Sequence, residues 1–72
     1  MDINETPKDR FKRLAEKRTN AVLEKLRLIG NLASNNYEYD EFEVNKIFNA
    51  IDEQLKAIKA KFRANRKKEF KL

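Results

Sequence analysis

Apolar positions along this chain fall into two stripes at helical spacing, separated by a short polar stretch rich in turn-forming residues. In the first stripe Phe11, Ala15, Val22, Leu26 and Ile29 share one side of a helix, flanked by Leu14, Ala21 and Leu28. In the second, Val44, Phe48, Ile51, Leu55, Ile58 and Phe62 alternate steps of four and three, with Ile47 on the flank. That alternation is the seam of a coiled-coil-like helix. It ends at Phe62, because the next two seam positions are Asn65 and Glu69.

The polar residues around each stripe mark where the helices start. Thr6 is placed to cap the first one, Pro7 suits a first helical position whose N–H has no partner anyway, and Asp9 stands where a capping box needs an acid. Gly30 is expected to close this helix through the left-handed backbone region, with an end that could slip to Leu32. Ser34, Asn35 and Asn36 compete for backbone hydrogen bonds and favour a turn. Asp40 and Glu43 form a second capping pair, and Tyr39 and Val44 are spaced for a hydrophobic staple. The expected helices therefore run over about 7–30 and 41–66, joined by a ten-residue connection over 31–40.

A connection of that length between two helices of similar size predicts an all-α fold, a two-helix antiparallel αα-hairpin. Ile29 would then lie near Val44, Val22 near Ile51, and Phe11 near Phe62. The organisation expected is a flexible N-terminus over 1–6, a hairpin domain over 7–62 and a basic C-terminal extension over 63–72. Arg18 and Lys25 share a heptad position with Phe11 and intrude on the first stripe. Either their stems cover the seam while the charges reach water, or Arg18, level with Gln54 and Leu55, makes a buried polar contact that sets the pairing register.

Length makes this architecture incomplete on its own. A domain of 72 residues buries only about 60% of the surface its unfolded chain exposes. Folds this small are usually reinforced by disulfides, a metal or a second subunit. With neither cysteine nor histidine in the chain, a homodimer forming a four-helix bundle is the expected answer. Its core would be Phe11, Val22, Leu26, Ile29, Val44, Phe48, Ile51, Leu55, Ile58 and Phe62. No stretch approaches the roughly 20 apolar residues of a membrane span, and the start lacks the apolar run of a secretion signal, so a cytoplasmic protein is expected.

The same residue inventory argues against catalysis. Without His or Cys, the candidate groups are carboxylates, hydroxyls and lysines, and they form no recognisable nucleophile or acid–base arrangement. One glycine cannot build a phosphate-binding loop. The acids Glu38, Asp40, Glu41 and Glu43 lack the alternating ligands and central glycine of a calcium loop, and read as a helix start. No enzyme, no cofactor, no metal and no small-molecule substrate are expected.

Charge supplies the functional signal. Residues 8–18 carry six Lys or Arg against two acids, a balance of +4, and residues 61–72 carry six against one, a balance of +5. Residues 31–60 hold six acids and three bases, a balance of −3. A hairpin would bring the two basic blocks to one end, where they would attract phosphates and release counterions. The expected contacts are Lys8, Arg10, Arg13, Lys17, Arg63, Arg66, Lys67 and Lys68. Of these, Arg10, Arg13 and Lys17 cluster on the outer side of the first helix. Tyr37 and Tyr39 could stack on bases, but they lie at the acidic end and are better placed to pack over the open end of the hairpin.

The leading expectation is thus a small accessory or regulatory protein that binds nucleic acid mainly through phosphates. The alternative is a protein-interaction module, adaptor or inhibitor, that docks a partner helix on the Phe48, Leu55 and Phe62 stripe with no nucleic-acid role. Peripheral lipid binding fits less well, because the tail has no strong apolar face despite Phe70 and Leu72. A basic helix-loop-helix mechanism is rejected: Phe11, Leu14 and Ala15 carry the apolar face through the basic stretch and leave no free helix for a groove.

The block RLIGNLASNNYEYDEFEVNKIF at 27–48, with DRFKRLAEKRTN at 9–20, resembles a group of short uncharacterised bacterial proteins associated with plasmids, conjugative elements or phages, over most of residues 9–62. The resemblance implies no activity and no site residues. It raises DNA-related roles, and also roles as an inhibitor or adaptor acting on host proteins.

Overall fold

The computed structural model describes residues 4–68, the last two as backbone only. These form two α-helices, α1 (Pro7–Gly30) and α2 (Glu41–Lys68), and among the described residues there is no strand. The expected extremes of the lead and tail, 1–3 and 69–72, lie outside the described residues. The chain divides into two units, Met1–Tyr37 and Glu38–Leu72.

In the first unit, the expected cap is formed at atomic detail. Asp9 N–H donates to Thr6 Oγ1 at 3.1 Å, and Thr6 N–H donates back to Asp9 Oδ2 at 3.5 Å, with Pro7 at the first helical position. Two of the amides left without intrahelical acceptors are thereby satisfied.

At its other end α1 does stop at Gly30, but by a different route from the one expected. No glycine has a positive φ, and the capping residue Asn31 is right-handed, at φ −66° and ψ −16°. The chain instead tightens: Leu32 N–H donates to Ile29 O and Ala33 N–H to Gly30 O, both at 3.1 Å. These short i to i−3 bonds take up carbonyls that a left-handed cap would otherwise have served. Ser34 then organises the turn. Its carbonyl accepts from Tyr37 N–H at 3.4 Å, and its hydroxyl accepts from Asn36 N–H at 3.3 Å, the local competition that excludes helix here.

In the second unit, Glu43 N–H donates to Asp40 Oδ1 at 2.7 Å and Asp40 N–H to Glu43 Oε1 at 3.0 Å. This reciprocal pair opens α2 at Glu41, as the sequence predicts. The helix then continues through Lys68, two residues beyond the expected end near 66, so the described part of the basic extension is helical. Lys, Arg and Ala are strong helix formers that need no apolar face, and cations in a last turn interact favourably with the helix dipole.

Both stripes lie along their helices as single apolar bands, and neither forms a buried core. No described residue is buried; Leu14, Ala15, Ile29, Val44 and Ile51 are half-buried. Phe11 and Val22 are 59% and 53% exposed, Phe48 and Leu55 50% and 45%. Among the described residues, no helix is long and apolar enough to cross a membrane.

Candidate nucleic-acid interface

The expected cations divide between the two helices, and helical rotation sorts them further. At about 100° per residue, Arg10, Arg13 and Lys17 fall within roughly 60° of arc on α1, away from the apolar stripe. Lys8 falls roughly half a turn from them, on the stripe side, and does not join the cluster.

The cluster on α1 is partly neutralised by an acid that precedes the helix. Arg13 Nε donates to Glu5 Oε2 at 2.7 Å and Arg13 Nη2 to Glu5 Oε1 at 3.1 Å, a two-point pair. Arg10 Nε lies 4.0 Å from Glu5 Oε1. The Arg13 hydrogen bond holds the Glu5 carboxyl below its ordinary range, and Glu5 in turn raises Arg13. Glu5 is only 15% exposed at its side chain, so residue 5, expected within a flexible lead, is tied to the first turns of α1. Further along, Arg27 Nη2 is 2.6 Å from Glu24 Oε2, which lowers the Glu24 carboxyl and raises Arg27.

On α2 the cations whose side chains are described have no such companions. From Gln54 to Lys68 the chain carries seven Lys or Arg and no acid. Among the described residues, Lys56, Lys59, Lys61, Arg63 and Arg66 form no ion pair. Lys56, Lys59, Arg63 and Arg66 fall within roughly 80° of arc, along one flank of the apolar stripe, while Lys61 faces the other way. The four cover about 15 Å of helix axis at 1.5 Å per residue.

This face extends the expected contacts of the tail toward the middle of α2. Two of its members, Lys56 and Lys59, are absent from the expected contacts, although spacings of three, four and three from Lys56 to Arg66 were visible. Both lie in the middle segment, whose net charge is negative, so a segment sum does not reveal them. That segment's acids all precede Gln54. Lys67 and Lys68 are in α2, and their side chains lie outside the described residues.

The acidic start of α2 is occupied with its own backbone. Asp40 and Glu43 spend oxygens on the capping bonds, and among the described residues no group of three or more His, Cys, Asp or Glu is arranged to hold a metal ion. Asp40, Phe42, Glu43, Lys46 and Ile47 line a shallow open hollow, in which Phe42 is 74% exposed.

No protein-family model matches the chain, and comparison with curated proteins and with solved structures gives no match.

Proposed function

We propose that this protein is a small cytoplasmic, non-enzymatic accessory or regulatory protein that binds nucleic acid through its phosphates. The observation that carries the reading is the second half of α2: seven cations without an acid, four of them along one face. A row of unpaired Lys and Arg at helical spacing suits a phosphate backbone, and gives affinity without base readout. Lys17 and Arg10 on α1 contribute more weakly, and Arg13 contributes only when it leaves Glu5.

The working unit is a homodimer in which each chain folds into an antiparallel hairpin and two hairpins form a four-helix bundle. What supports this is the exposure of both apolar stripes in a chain that has no disulfide to reinforce it. The hairpin draws the α1 cations toward the basic end of α2.

The test is binding of duplex and single-stranded oligonucleotides across a salt series, by the full chain and by a chain truncated after Phe62. The full chain should bind at low salt, with log affinity falling linearly as log salt rises. Truncation removes Arg63, Arg66, Lys67 and Lys68 and should flatten that slope. Absence of binding at low salt would eliminate the reading. The second reading, a protein-interaction module, would then stand on the exposed Phe48, Leu55 and Phe62 side chains, at 50%, 45% and 57%.

A further inference from the structure

We propose that α2 pairs with α2 of a second copy in antiparallel orientation, about a two-fold axis that crosses the seam at the level of Glu53. The inference rests on the dimer in the reading above and deepens it by naming the surface and its register.

The first argument is the symmetry of the seam. Val44, Phe48, Ile51, Leu55, Ile58 and Phe62 are spaced symmetrically about Glu53, so reversing one copy superimposes seam on seam. Val44 then meets Phe62 of the partner subunit, Phe48 meets the partner's Ile58, and Ile51 meets the partner's Leu55. Each layer combines heptad positions of opposite type, as antiparallel packing requires. Side-chain volume points the same way. Each phenylalanine meets a smaller β-branched residue, whereas parallel pairing would stack Phe48 and Phe62 on their own copies and leave thin layers at Val44. Close-packed interiors favour layers of even volume.

Charge along the helix supplies an independent argument. Residues 38–53 hold six acids and one base, a balance of −5, while residues 54–68 balance at +7. Antiparallel pairing sets the acidic start of each copy beside the basic end of the other. Parallel pairing would instead set like halves together and place Lys61 against the partner's Arg66 twice, by symmetry. At pairing positions that flank the seam, the antiparallel register sets Asn45 opposite the partner's Lys59 and Ile47 opposite the partner's Lys61. Lys56 and Arg63, one position further round the helix, stay on the outer surface available to phosphates.

The test is interchain disulfide formation by single-cysteine variants, clean because the chain has no cysteine. Gln54→Cys and Asn65→Cys both fall at exposed positions. In the antiparallel dimer, the two copies of position 54 face each other across the axis. The two copies of position 65 lie about 36 Å apart along it, far beyond the roughly 7 Å Cα separation a disulfide spans. Under mild oxidation, Gln54→Cys should become mostly covalent dimer while Asn65→Cys stays uncrosslinked, with wild type sedimenting as a dimer. Crosslinking of Asn65→Cys, or of neither variant in a sedimenting dimer, overturns the antiparallel register and leaves the dimer intact. Sedimentation of wild type as a monomer at all concentrations overturns both, and separate oligonucleotide titrations show whether phosphate binding survives alone.

Discussion

Arg13 holds Glu5 by two hydrogen bonds, 2.7 Å from Nε and 3.1 Å from Nη2, across eight residues of sequence. An acid outside the helix thus occupies one of the three clustered cations of α1. A phosphate and Glu5 would compete for the same guanidinium fork.

Replacing Glu5 with Gln should therefore release Arg13 for phosphate contact. The expected result is tighter oligonucleotide binding at low salt, with the log–log salt slope steeper by about 0.9 for a B-form duplex. Fluorescence anisotropy across a salt series measures both quantities. An unchanged slope would mean that Arg13 does not reach the phosphates.

The same pair fixes a pH dependence. Because the folded Glu5 carboxyl is depressed by Arg13, its contribution to order at the start of α1 is fully present above the ordinary value it has in the unfolded chain. It is lost as pH falls through the lower folded value. Carboxyl NMR titration should find the Glu5 midpoint below the ordinary range, and Arg13→Gln should bring it back up. A Glu5 midpoint that ignores Arg13→Gln would contradict the pairing.

The helix starts were legible from sequence because a capping box is a local device: Thr6 with Asp9, and Asp40 with Glu43, need only a three-residue separation to meet. Glu5 was not, since its partner lies eight residues away and depends on how the chain enters α1. Gly30 marked the right place for the wrong reason. Its residue type permits the left-handed region, but the actual exit uses the right-handed Asn31 and short backbone bonds, a choice made by hydrogen bonding further into the turn. The end of α2 was legible to within two residues, about 66 against Lys68, even though the apolar periodicity stops at Phe62. Periodicity reports what a helix face can bury, whereas propensity decides whether the helix persists. On the basic side, net charge summed over a segment hid Lys56 and Lys59, which become visible only when placed on one helix face.

Removing the caps tests the local account. Thr6→Ala and Asp40→Ala should each cost about 1 kcal/mol of helix stability, seen as faster amide exchange in the first turns of α1 and α2 respectively. Thr6→Ser should restore most of the loss. Equal effects of both variants on both helix starts would show that the caps do not act locally.

Arg18 is exposed on the apolar side of α1. If its stem covers the stripe while its charge stays in water, Arg18→Leu should leave thermal stability unchanged or raise it by up to about 1 kcal/mol. Global unfolding of this variant would instead assign Arg18 a required polar contact.

The charged face of α2 is the centre of the account, and salt titration of duplex binding by a Lys56→Gln, Lys59→Gln, Arg63→Gln, Arg66→Gln chain tests it most directly. Circular dichroism first verifies that α2 stays helical. The expected result is a slope shallower than wild type by about 0.9 for each lost phosphate contact, at least about 1.8 per chain from the outward-facing Lys56 and Arg63, with binding at low salt weakened. A variant that binds with the wild-type slope would contradict it.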